Sequence, residues 1–282
     1  MESKKYFYDY EDYEDGDKDA KTLASEILED SDLGVLKEVI VGCWGESYDN
    51  DVQAILDMIV ENKEKFAHIE SLFIGDMDYE ECEVSWIEQG DYSRIWDALP
   101  NLRKLTIKGS QGLSLGNINH KNLKSLEIIC GGIPKLVLNQ IGNSNLPGLE
   151  KLNIYIGIDN YGFDGELEDI KKVVENESLK SLKYLGIGNS EIQDDIVKVV
   201  IESNIIKQLE TLNFSNGTLS DIGGNILLEN KDKINHLKFL DLHYHFLSDE
   251  LMDELNKLPI KIDLDEQEEV DEEYGNWPML TE

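Results

Sequence analysis

The chain has 282 residues and a mass of 32.1 kDa, enough for one extended array or two compact domains. Hydrophobic residues at 40% and aromatics at 8% suffice for a packed core and exclude wholesale disorder. Fifty-nine Asp and Glu against 26 Lys and Arg leave a net charge of −33, which repels phosphate backbones and anionic lipid heads. Direct nucleic-acid or membrane binding is therefore not expected; basic proteins or metal cations are the partners such a field attracts.

The opening residues, MESKKYFYDYEDYEDGD, contain no apolar run, so no secretory signal is expected, and no stretch of the chain is long and apolar enough to span a bilayer. Cys43, Cys82 and Cys130 are odd in number and lack C-x-x-C spacing, which fits a reducing compartment and a cytoplasmic location. Tyr6, Tyr8, Tyr10 and Tyr13 alternate with Asp and Glu ahead of a helix-like stretch from Lys21 to Leu28. Residues 1–34 read as an acidic, solvated leader or cap. A disordered arm that mimics nucleic acid, with carboxylates for phosphates and tyrosines for bases, is the alternative.

From residue 35 the chain repeats itself. A frame L-x-x-L-x-L recurs at Leu36, Ile69, Leu102, Leu123, Leu149, Leu182, Leu209 and Leu237, with spacings of 33, 33, 21, 26, 33, 27 and 28 residues. Each frame predicts a short strand whose alternate side chains point inward, and one repeat cannot bury that face alone. Stacked in parallel, about eight repeats over 35–265 share a core, and the return segments between them look helical. Asp51–Val60, Ile192–Ile201 and Ser248–Leu258 carry apolar residues at helical spacing, with Ser248 as N-cap and Pro259 as stop. Ile260–Leu264 is the last strand-like segment, and 266–282 is read as an acidic tail in which Trp277, Pro278 and Met279 fold back onto the end of the core.

Phe214-Ser-Asn-Gly-Thr-Leu219-Ser-Asp-Ile-Gly223, followed by Ile226-Leu-Leu228, resembles the strand-turn-helix unit of ribonuclease-inhibitor-type leucine-rich repeats. Ile74 through Tyr92 and on to Trp96, with Leu113-Ser-Leu-Gly116 and Leu240-Asp-Leu-His-Tyr-His-Phe-Leu-Ser-Asp249, looks like a bacterial cytoplasmic leucine-rich-repeat family without an assigned activity. The resemblance implies an α/β horseshoe, parallel strands on its concave face and helices on its convex face. It also implies an interaction scaffold, and carries over no catalytic residue. The position usually held by Asn or Cys is here Trp44, Met77, Ser110, Gly131, Gly157, Ser190, Gly217 and His245, so an asparagine ladder is absent and the turns need other partners.

The charge is unevenly placed. Residues 9–32 hold eleven acids and two lysines, 76–91 seven acids and no base, and 263–273 eight acids and no base. The floor positions of the frames balance Lys104, Lys108 and Lys151 against Glu38, Glu127 and Asp241. The acids are thus expected at the two ends and on one long loop. Within that loop Tyr79, Trp86, Tyr92 and Trp96 are candidate partner contacts, with a convex core plug as the alternative for the tryptophans; Tyr155, Tyr184 and Phe239 are candidates on the floor.

Little chemistry is visible. Asp241, His243 and His245 alternate along one strand and form the one weak candidate for a metal or hydrolytic site. His68, His120 and His236 look like turn residues. Gly109-Ser-Gln-Gly-Leu-Ser-Leu-Gly116 lacks the Gly-Lys-Ser/Thr ending of a phosphate cradle, and no cofactor is expected. The chain reads as a non-catalytic scaffold for a partner with a basic patch. Inhibition of a nuclease, toxin or CRISPR-type effector by blocking its nucleic-acid channel is one alternative, and a metal-binding protein the other.

Overall fold

In the computed structural model, which describes residues 2–14, 18–270, 273 and 275–281, one ten-stranded sheet runs the length of the molecule. Its strands are β1 (Ser3–Tyr6), β2 (Glu38–Val41), β3 (Ser71–Ile74), β4 (Lys104–Lys108), β5 (Ser125–Ile129), β6 (Lys151–Gly157), β7 (Tyr184–Ser190), β8 (Thr211–Asn213), β9 (Phe239–Asp241) and β10 (Lys261–Asp263). They pair in chain order and every pairing is parallel. The helices are α1 (Tyr10–Tyr13), α2 (Ala20–Glu29), α3 (Gln53–Glu61), α4 (Lys63–Phe66), α5 (Ile95–Ala98), α6 (Lys135–Gly142), α7 (Leu167–Val174), α8 (Gln193–Glu202), α9 (Asp221–Glu229), α10 (Lys231–Ile234) and α11 (Asp249–Leu255). This is an α/β leucine-rich-repeat solenoid.

The register follows the repeated frame. Leu72, Leu105, Leu126, Leu152, Leu185, Leu212 and Leu240 lie side by side and buried, and the next inward column runs Ile74, Ile107, Ile128, Ile154 and Ile187. A parallel strand cannot satisfy its apolar face alone, so each stacked leucine covers its neighbours and the core becomes one continuous cluster. Helices α3, α8 and α11 close the convex side as their spacing predicts, and Ser248 caps α11 by accepting from the Leu251 amide at 3.4 Å.

Two expectations are corrected. The described residues before 35 form a cap and not a solvated leader: β1 extends the sheet and α2 covers its end. Tyr6, Tyr8 and Tyr13 are buried, with the Tyr8 hydroxyl 3.0 Å from Glu26 Oε1, so they are unavailable as mimics of bases. Nor are all return segments helical. The passage from β4 to β5 has no helix, since 21 residues between frames leave little room for one, and the 33-residue repeat before it holds only the one-turn α5; the two are joined by the bridges Glu88–Gln111 and Asp91–Ser114.

Other side chains replace the asparagine ladder. Gln89 Nε2 donates to Lys108 O at 2.9 Å, Gln193 Nε2 to Ile187 O at 2.9 Å, and Ser110 Oγ to Gly132 O at 2.7 Å. His68, His120 and His236 each place Nε2 about one hydrogen bond from a carbonyl of the preceding repeat, at Leu33, Leu99 and Ile206. Buried turn backbone is thereby paired without a uniform ladder.

Candidate interaction surface

Because all ten strands point the same way, each is followed by its turn on one long edge of the sheet, the carboxyl edge, and preceded by residues on the opposite, amino edge. Lys37, Glu70, Arg103, Lys124, Glu150, Lys183, Glu210 and Lys238 stand immediately before successive strands. Lys37–Glu70 at 3.2 Å, Lys124–Glu150 at 2.9 Å and Lys238–Glu210 at 2.6 Å pair along it, which leaves the amino edge slightly basic.

The acids lie opposite. Residues 9–14 follow β1, residues 76–91 follow β3 and residues 263–270 close β10, so stretches expected at separate ends and on a loop share the carboxyl edge. Exposed aromatics accompany them: Tyr79 is 74% and Trp86 58% exposed, Tyr10 is exposed at the start of α1, and Phe7 and Tyr48, not anticipated as contacts, are exposed after β1 and β2. Tyr48, followed by Asp49, was legible as an aromatic beside an acid outside the inward frame positions; Phe7, between Tyr6 and Tyr8, carried no such signal.

Tyr92 and Trp96 do not belong to this surface. Tyr92 is fully buried, its hydroxyl 2.6 Å from Gln89 Oε1, and Trp96 is buried with Nε1 2.7 Å from Leu115 O. The irregular return from β3 has no long helix to fill the convex core, and these two side chains fill it instead.

On the floor the register brings Tyr155, Tyr184, Asp241 and His243 together and leaves Phe239 beside them. Lys151 Nζ lies 5.0 Å from the Tyr184 ring centroid and 3.2 Å from Glu127 Oε1, while Lys261 covers Phe239 at 4.9 Å. Asn213 Nδ2 donates to the Tyr184 oxygen at 2.8 Å. Burial, with Asp241 and Glu127 nearby, pushes the Tyr184 phenol up to about 12, so it is neutral near pH 7. Burial also pushes the Cys82 thiol to about 11 and Cys130 to about 12, so neither is a ready thiolate nucleophile. The floor offers stacking and hydrogen bonds.

The metal reading fails on geometry. Asp241 Oδ1 and His243 Nδ1 meet at 2.6 Å on the floor, but Tyr244 adopts a left-handed backbone (φ 55°) that breaks the strand's alternation. His245 is consequently turned inward and fully buried, Nε2 3.1 Å from Leu264 O and Nδ1 accepting from the Leu247 amide at 3.1 Å. Among the described residues no group of three His, Cys, Asp or Glu is placed to hold a metal ion.

Residues 277–281 were expected to cover the open end of the core. They run instead back along the carboxyl edge, across the turns after β9 and β8, the end of β7 and the turn after β5. Tyr244 OH donates to Trp277 O at 3.2 Å, and the Met279 amide to Asn216 O at 2.9 Å. Asn189 Nδ2 donates to Leu280 O at 2.6 Å while its Oδ1 accepts from the Leu280 amide at 2.9 Å. At Gly131 a Cβ would lie 2.2 Å from Thr281 O, so only glycine admits the strand's far end.

No helix among the described residues is long and apolar enough to cross a membrane. No family model and no curated protein matches the chain. Among solved structures, a Bacteroides fragilis protein determined as a structural-genomics target is 46% identical, with a TM-score of 0.90, over 100% of this chain and 77% of that one. An internalin from Listeria monocytogenes matches at 16% identity and TM-score 0.43 over 82% of this chain and 62% of its own, and human trophoblast glycoprotein 5T4 at 14% and 0.40 over 71% and 70%. With nearly half its residues identical over its whole length and the same backbone path, the chain belongs to the family of the Bacteroides fragilis protein.

Proposed function

We propose that the protein is a non-catalytic scaffold that takes a basic protein partner along the carboxyl edge of its sheet. The observation that carries this reading is the polarity of the two edges: paired lysines, arginine and glutamates on one, clustered carboxylates with exposed Tyr79 and Trp86 on the other. Carboxylates there raise the encounter rate of a cationic surface over tens of ångströms, and the aromatics supply the buried contact area once it arrives. On the floor Lys151, Asn213, Asp241 and His243 already have partners within the protein, which suits recognition more than reaction.

The test is the ionic-strength dependence of association with a captured partner. Steered association falls about tenfold or more between roughly 0.05 and 0.5 M salt, because the screening length shrinks from about 14 to 4 Å, while the dissociation rate changes far less. An association rate indifferent to salt overturns the reading.

A further inference from the structure

Asn189, Asn216 and Tyr244 occupy the eighth position of three consecutive frames, and all three hold a left-handed backbone, at φ 52°, 65° and 55°. Non-glycine residues pay for that conformation, Asn least, so its repetition at one frame position is a built feature. In each case the turn bonds to the next one, through Asn189 N to Ser215 O at 2.8 Å, Asn216 N to His243 O at 3.0 Å and Tyr244 N to Asp265 O at 3.0 Å. The result is a row of polar groups along the edge, with Asn189 and Asn216 buried.

Residues 277–281 lie on that row as an extended peptide. The Asn189 amide pairs with both the N–H and the C=O of Leu280, which reads backbone rather than side chain. Pro278 is buried, while Trp277 and Met279 are exposed on either side of it. One polar group stays unused: Asn216 is buried, and its Oδ1 has no hydrogen-bond partner among the described residues although its Nδ2 reaches the Tyr155 oxygen at 3.3 Å. The row therefore has capacity beyond its present occupant.

That occupant is mismatched in charge to its seat. It is preceded by the acids of 263–273 and ends beside Gly131, next to the acidic loop that carries Ser85. A peptide with the same centre and cationic flanks gains attraction at both ends where this one meets repulsion.

We propose that the row Asn189–Asn216–Tyr244 is a peptide-binding groove. Its partner presents an extended segment with proline placed as Pro278 is, flanked by lysine or arginine, and displaces residues 277–281. The proposal rests on the reading of the acidic edge as the partner face and names what that face selects.

Three synthetic peptides test it on the full chain: the Asn276–Thr281 sequence between paired lysines, the same residues scrambled between the same lysines, and the sequence with its own acidic neighbours. The first binds about tenfold or more tighter than either other, and at saturation hydrogen exchange of the Met279 and Leu280 amides rises. In a chain with a protease site inserted after Val270 and cleaved in the folded state, the first peptide binds tighter still, and Asn189→Gly, which keeps the left-handed backbone, weakens it about tenfold. Equal binding of the first two peptides with the Leu280 amide still protected overturns the groove and leaves the acidic edge standing. Failure of both lysine-flanked peptides to bind even the cleaved protein overturns both.

Discussion

The Tyr6 phenol donates to Asp30 Oδ2 at 2.6 Å, tying the outermost strand of the sheet to the turn that ends α2. Lys4 Nζ reaches the same oxygen at 2.5 Å, and the Asp32 amide donates to Asp30 Oδ1 at 2.9 Å. These donors, Lys4 foremost, pull the Asp30 carboxyl down to about 2. Its folded value lies below the unfolded value near 3.9, so its contribution to stability is complete above about pH 4 and disappears as pH falls from there to about 2. Tyr6→Phe costs about 1 kcal/mol, and Asp30→Asn removes this acid dependence. Urea unfolding from pH 5 to pH 2 checks it: identical slopes for wild type and Asp30→Asn would refute the assignment.

The buried imidazoles work in the opposite part of the pH scale. His120 and His245 each accept a backbone amide on Nδ1, from Leu123 at 2.9 Å and Leu247 at 3.1 Å, and face a carbonyl with Nε2. Burial lowers both below the ordinary histidine value. The unfolded chain binds these protons first, so stability is full above about pH 6.5 and declines as pH falls below it, by up to about 1.4 kcal/mol per pH unit per group. Replacing both by Gln flattens this limb in thermal melts between pH 7 and pH 5. A double variant with the wild-type slope would show that the folded and unfolded chains take up these protons alike.

Gly157 sets how closely two turns approach. Its φ is 75°, and an added Cβ would lie 1.7 Å from Gly131 O, the acceptor of the Ile158 amide at 2.9 Å. Gly157→Ala therefore combines a left-handed alanine with a clash against backbone and costs about 3 kcal/mol or more. Chemical denaturation gives the number, and a cost below about 1 kcal/mol would mean that the turn after β6 can rearrange.

The inward leucines carried most of the fold into view. Alternation places Leu72, Leu105 and Leu126 in one column, so strand register and floor composition follow from spacing alone. Strand β1 was hidden because Lys4 stands where neighbouring strands have an apolar residue, paired against Val39, and two tyrosines bury the rest. His245 sits inward at the ladder position the frame gives it; only the metal alternative needed strict alternation to continue past the left-handed Tyr244. The row under residues 277–281 escaped because a contact between Asn189 and Leu280 leaves no local pattern. Its one visible trace was Asn at the eighth position of two successive frames.

Trp86 and Trp96 separate contact from core within a single acidic loop and its continuation. Trp86 stands exposed at the end of the 3-10 turn Val84–Trp86, whereas Trp96 is buried and donates to Leu115 O. Trp86→Ala leaves unfolding free energy within about 0.5 kcal/mol of wild type, since exposed side chains carry little folding energy. It weakens partner binding by about 2 kcal/mol, roughly thirtyfold, if the edge is the contact surface. Tyr79→Ala shows the same pattern with a smaller loss. Trp96→Ala instead costs about 3–5 kcal/mol of stability through the cavity it opens and the carbonyl it orphans, and affects binding only as far as it unfolds the protein. Circular dichroism melts paired with partner titration distinguish the two tryptophans. Wild-type affinity in both Trp86→Ala and Tyr79→Ala would remove the aromatic loop from the interface and leave its carboxylates to act at a distance.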